Sequence, residues 1–130
     1  MAILGIDYGK RKVGLAKAAA GTPAVPLAIW ENRGQRGLLA RIFALCQDEG
    51  IEEIVVGLPI SVGGFAGSSA AAIKLFAQEL AATTRLPVHV SDERLSTKMA
   101  QRLQRGMRGR DDATAAMLIL QGWLDAEAAK

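Results

Sequence analysis

Short unbroken apolar runs and helically spaced apolar positions take turns along the chain. Ala2 to Tyr8 is short and apolar, which predicts a strand, and Val13 to Ala18 predicts a second. The connection Gly9-Lys10-Arg11-Lys12 is short, so these two should form an antiparallel hairpin. Pro26 to Trp30 continues the meander as a third strand. Gly37 to Glu49 carries Leu38, Leu39, Ile42, Phe43, Leu45 and Cys46 at helical spacing, with Gly50 as a stop. Glu53 to Leu58 is a β-branched run of the kind a buried parallel strand uses. Ser68 to Thr84 is Ala-rich with Ile73, Leu75, Phe76 and Leu80, a second helix. Pro87 to Ser91 predicts the fifth strand. Ser96 can cap a helix through about Arg105, ended by Gly106. Asp111 or Asp112 opens a last helix to about Ala128. Ala18 to Gly21 reads as a loop.

Three antiparallel strands followed by two crossovers imply an α/β fold. It is one mixed five-stranded sheet, with three antiparallel then two parallel strands and helices on both faces. The 130 residues fit a single domain spanning 1–130, without repeat or linker. One cysteine, Cys46, excludes a disulfide framework and a Cys-based zinc site. The longest apolar stretch, Ala115 to Leu120, is far short of the roughly 20 residues that span a bilayer. No basic, apolar leader opens the chain. The expectation is a soluble, cytoplasmic protein with no membrane partner.

Charge adds a direction. The chain has 16 Lys+Arg against 13 Asp+Glu, a weak excess, but its placement is uneven. Arg94, Lys98, Arg102, Arg105, Arg108 and Arg110 follow one another with no acid among them. Lys10, Arg11, Lys12 and Lys17 form a second group, and Asp48, Glu49, Glu52 and Glu53 an acidic one. Such a chain can meet a polyanion on one face, although basic runs also occur as solvated helix faces.

Ligands of open α/β sheets collect at the carboxyl ends of the parallel strands. Asp7 ends the first strand, Asp92 and Glu93 follow the fifth, and Asp111 and Asp112 open the last helix. Asp7 interrupts an apolar strand, where an uncompensated carboxylate is costly. Each acid alone has a structural role open to it: a turn contact for Asp7, Arg94 for Asp92 or Glu93, a helix cap for Asp111 or Asp112. Three converging acids repel unless a divalent ion lies between them. Hard oxygen donors select Mg²⁺ or Mn²⁺, which keep waters and substrate phosphates as further ligands. Two such ions about 4 Å apart suit phosphodiester hydrolysis. The Gly-rich loop from Gly57 to Gly67 follows a strand and leads into a helix, which suits a phosphate backbone, but it is no P-loop. His89 inside a strand, Cys46 on a helix stripe and Trp123 read as packing residues.

These same residues carry a family likeness. Gly5-Ile6-Asp7-Tyr8-Gly9 with Val13-Gly14-Leu15-Ala16 opens it. Val55-Val56-Gly57-Leu58-Pro59, Asp92-Glu93-Arg94-Leu95-Ser96-Thr97 and Asp112 before Ala115-Ala116 follow in order. The set resembles the YqgF (RuvX) family over nearly the whole chain. The resemblance implies a ribonuclease H-like fold and a bacterial cytoplasmic nuclease, described for the family as a pre-16S ribosomal RNA 5′-end processing nuclease and earlier as a candidate Holliday junction resolvase. It implies Asp7, Glu93 and Asp112 as catalytic, metal-holding acids, and favours Asp112 over Asp111. The chain departs from the family at Ser61 and Gly64, where many members have Asn and Asp. The nucleic-acid contacts expected are Lys10, Arg11, Arg94, Lys98, Arg102, Arg105, Arg108 and Arg110, on structured RNA or branched DNA, in a monomer or weak homodimer. Two other readings stand beside this one. An actin-like or sugar-kinase ATPase shares the opening turn but needs two domains. A non-catalytic nucleic-acid adaptor would gain from losing carboxylates near phosphates.

Overall fold

The computed structural model describes residues 2–19, 21–57, 66–91 and 112–129. The expected helix from Ser96, the loop residues 58–65 and the acids Asp92, Glu93 and Asp111 lie outside the described residues.

The strands are β1 (Ala2–Tyr8), β2 (Lys12–Ala19), β3 (Val25–Glu31), β4 (Ile51–Gly57) and β5 (Val88–Ser91). The helices are α1 (Gln35–Glu49), α2 (Ala66–Thr84) and α3 (Asp112–Ala128). The sheet order is β3-β2-β1-β4-β5. β1 pairs antiparallel with β2, and β2 with β3; β4 lies parallel to β1 and to β5. This is the mixed sheet expected from the sequence.

Alternation along β1 divides the core in two. Leu4 and Ile6 join Val13, Leu15, Ile54 and Val56 in a cluster closed by Leu38, Ile42 and Cys46 of α1 and Ile73, Phe76 and Leu80 of α2. Ile3, Ala16, Ala18 and Val55 face the other way and pack against Ala116 and Leu120 of α3. β1 is thus covered on both faces.

Some expectations shift. β2 holds Ala18, as the expected strand did, and runs on to Ala19, so the loop expected from Ala18 starts later; Ala18 is buried in the α3-side core. Lys17 does not join Lys10 to Lys12. It points to the other end of the sheet and bonds Glu49 Oε1 at 2.5 Å. Helix α1 starts two residues before the periodic run, and it ends as foreseen. Gly50 takes the left-handed conformation (φ 66°) and its N–H donates to the Cys46 carbonyl.

Candidate active site

Asp7 lies near the carboxyl end of β1, opposite Gly14 of β2, and is half-buried. It shares the strand parity of Ile3 and Gly5, so it belongs to the face that α3 covers. The packing of α3 explains which end of that helix comes near it. A Cβ added at Gly5 would lie 2.7 Å from Leu120 Cβ and 3.1 Å from the Ala116 carbonyl oxygen. One added at Gly57 would lie 2.5 Å from Ile119 Cδ1. Two glycines in the sheet therefore let α3 settle against the backbone of β1 and β4. Further along, Gln121 Oε1 accepts from the Ala24 N–H at 2.8 Å, near the level where β1 begins. The helix therefore runs from the carboxyl end of β1 toward its start. Asp112 comes one turn before Ala116, a rise of about 6 Å. Gly5 to Asp7 is a strand rise of about 6.6 Å. The first residue of α3 and Asp7 accordingly stand at the same end of the sheet.

The neighbour of Asp7 is anchored on the opposite face. The Tyr8 ring stacks on Phe76 with centroids 4.2 Å apart, and its hydroxyl donates to Gln35 Oε1 at 2.8 Å. Gln35 Nε2 donates in turn to Glu79 Oε2 at 3.4 Å. These contacts tie the end of β1 to both α1 and α2, and hydrophobic spacing alone did not disclose them. Gly9 closes the hairpin tightly, since a Cβ there would meet the Lys12 carbonyl oxygen at 2.6 Å. Lys10 and Arg11 are exposed at the tip, next to the Asp7 end.

Of the sequence-derived site, the structure thus brings together Asp7, Lys10, Arg11 and the start of α3. Glu93, Arg94, Lys98, Arg102, Arg105, Arg108 and Arg110 lie outside the described residues. Among the described residues no group of three His, Cys, Asp or Glu side chains is gathered as a metal cluster. The donor chemistry fits a hard divalent ion all the same: a half-buried carboxylate on a β-strand, with a helix that opens on aspartate at the same end of the sheet.

The packing readings hold. His89 Nε2 lies 2.8 Å from Glu53 Oε2, and its ring stacks on Trp123 at 5.0 Å. Cys46 is buried, and burial pushes its thiol up to about 11. No helix among the described residues is long and apolar enough to cross a membrane.

A family model described as "RuvX: Holliday junction resolvase" matches residues 1–126. A protein of Anaeromyxobacter sp. (strain Fw109-5), named "Putative pre-16S rRNA nuclease", is 44% identical over 133 residues, covering 96% of this chain and 97% of that protein. A protein of the same name from Anaplasma marginale (strain St. Maries) is 38% identical, covering 95% and 83%. Among solved structures, T. thermophilus RuvC in complex with Holliday junction substrate superposes with a TM-score of 0.68 at 14% identity, covering 99% of this chain and 96% of that one. The fowlpox virus Holliday junction resolvase gives 0.52 at 12% identity, covering 100% of both. At these identities the likeness is one of fold.

Proposed function

This chain belongs to the RuvX family, and on that premise we propose that it is a divalent-metal-dependent nuclease acting in 5′-end processing of pre-16S ribosomal RNA. The observation that carries the proposal is the meeting, at the carboxyl end of β1, of Asp7, the start of α3 and the basic hairpin. A carboxylate beside clustered Lys and Arg suits a site that takes a phosphodiester and cuts it.

Asp7, Glu93 and Asp112 would hold Mg²⁺ or Mn²⁺, which would supply Lewis-acid chemistry for phosphodiester hydrolysis there. The chain's own residues do the rest. Lys10 and Arg11 hold backbone phosphates at the hairpin, and Arg94, Lys98, Arg102, Arg105, Arg108 and Arg110 add further phosphate contacts. Such contacts position the strand without reading its sequence. The snug seat of α3 over Gly5 and Gly57 fixes the height of Asp112 relative to Asp7. The protein works in the cytoplasm as a single 1–130 domain, a monomer or weak homodimer, without a membrane partner.

A second reading is a Holliday junction resolvase, which the description of the matching family model favours. Paired cuts on a junction of near two-fold symmetry would call for a symmetric dimer. One comparison separates the two. Labelled single-stranded RNA, RNA duplex and a four-way DNA junction are each incubated with Mg²⁺ and with Mn²⁺. Cleavage of RNA with the junction left whole supports rRNA processing. Paired symmetric cuts in the junction, with RNA untouched, replace it by the resolvase reading. Binding of all three without any cut would leave only an adaptor.

A further inference from the structure

Between Asp7 and Asp48 the chain carries seven basic residues and one acid, Glu31. Lys17 is held at the far end of the sheet by Glu49. The other six are Lys10, Arg11 and Lys12 on the hairpin, Arg33 in the β3–α1 connection, and Arg36 and Arg41 on α1. All six are exposed. They are far apart in sequence, and Asn32 joins the hairpin to the connection that carries Arg33.

Asn32 is a cross-link between two turns. Its backbone N–H donates to the Arg11 carbonyl at 2.8 Å. Its side-chain Nδ2 donates to the Gly9 carbonyl at 2.8 Å, and its Oδ1 accepts from the Gly34 N–H at 3.2 Å. One residue thus fastens the hairpin tip to the β3–α1 connection. Lys12 stands opposite Glu31 in the β2–β3 register, and Arg33 lies two residues beyond.

Arg36 lines the groove between α1 and α2 together with Glu79. At the β3 edge the acid is Glu31, and it is poorly placed to neutralise the rest. Glu31 accepts both Arg33 Nε at 3.0 Å and Arg33 Nη2 at 2.8 Å, with the side chains 67% and 85% exposed. An ion pair so open to water contributes little, so a phosphate can compete for Arg33. The Arg41 guanidinium lies over the Trp30 ring, its Cζ 4.2 Å from the centroid. Stacking of that kind orients a guanidinium without using its N–H donors. The surface therefore presents planar, charged donors of the type that grip phosphates bidentately.

We propose that the hairpin and the β3–α1 connection, pinned together by Asn32, form a phosphate-binding tract on the β3 side of the active site, which seats the RNA strand flanking the cleaved bond through Lys12, Arg33 and Arg41, the last two lining one concavity with Trp30 and Glu31. The proposal rests on the nuclease reading and extends it: the substrate is a strand long enough to run from Asp7 across the sheet edge, not a short oligonucleotide held only at the metal.

The test is a titration of labelled single-stranded RNA at several salt concentrations, in Ca²⁺ to suppress cleavage. It compares the wild type with Arg33→Gln/Arg41→Gln, two exposed positions whose loss leaves the core intact. Each phosphate contact contributes roughly 0.7 to the slope of log affinity against log salt on a single strand, so the double variant should lose about 1.4. A series of RNAs shortened one nucleotide at a time from each end adds direction. The affinities of wild type and variant should converge once the RNA is trimmed from one end, and not from the other. Asn32→Ala, which changes no charge, should also weaken binding of the long RNA. An unchanged salt slope in the double variant overturns the tract. So does a deficit that persists however the RNA is trimmed, which would be a long-range charge effect. A wild type that binds RNA with a steep salt slope while the double variant matches it defeats this proposal alone. A wild type that binds no nucleic acid defeats the nuclease reading and the tract with it.

Discussion

Asp7 is legible in the sequence because a carboxylate in an apolar strand is costly and asks for a compensating partner. Gly5, two residues earlier, decides as much and announces nothing. A glycine inside a strand reads only as a weak point, and its significance comes from Leu120 and Ala116, more than a hundred residues away, lying against it. Gly5→Ala should force α3 off the sheet, with a cost of about 1–3 kcal/mol from overpacking. Denaturant unfolding should register that loss, and the turnover of folded protein should fall as well, because Asp112 rides on the displaced helix. Stability equal to wild type would mean that the sheet yields without moving α3. Cys46 is the opposite case, a residue whose helical spacing already placed it in the core. Burial raises its thiol to about 11 from an ordinary 9.0. The folded protein therefore keeps the proton in a window where the unfolded chain loses it. This contribution is complete below pH 9 and is lost as pH rises toward 11. Iodoacetamide at pH 8.5 should label Cys46 only at the rate at which denaturant unfolds the protein; rapid labelling of the native state would place the thiol at the surface.

At the scale of elements, the periodic signals were sufficient where one face of the element is buried and the other is wet. α1 shows it, with Leu38, Ile42 and Cys46 inward and Gly50 as its stop. They put Ala18 in both a strand and a loop and Ala19 in the loop, because an alanine carries little hydrophobic signal whether it lines a core or a loop. They also missed the bonds that Tyr8, Gln35 and Asn32 make across elements, since side-chain hydrogen bonds leave no period in a sequence. The basic run after β5 was read from spacing. Lys98, Arg102 and Arg105 fall at offsets of four and three, one face of a helix if that segment is helical. Replacing Arg102 and Arg105 together by Gln should weaken binding of all RNA sequences alike and lower the salt slope by about 1.4 on single strands. The measurement is the same titration in Ca²⁺, and an unaltered slope would assign that face to solvent.

For the whole molecule, net charge is a poor guide and placement a good one. The chain is only +3, yet Lys10 to Lys12 and Arg33 gather near the end of the sheet where Asp7 lies, while Lys17 pairs with Glu49 away from it. Adjacency in sequence misplaced Lys17, because Lys12 and Lys17 stand toward opposite ends of β2. The fold class was legible because three antiparallel strands followed by two crossovers leave few arrangements. Of the candidate site, the sequence placed Asp7 at the carboxyl end of its strand, where such sheets bind ligands. The central claim is that Asp7 supports metal-dependent cleavage and is not needed for the fold. The measurement is cleavage of a labelled RNA carrying the 5′ extension of 16S ribosomal RNA, by wild type and by Asp7→Asn, in Mn²⁺ and in excess chelator, with thermal unfolding of both proteins alongside. Wild type should cut only with the metal present, and Asp7→Asn should bind the RNA, melt no lower than wild type and fail to cut it. Cleavage by Asp7→Asn at the wild-type rate, or full wild-type activity in chelator, would contradict the account.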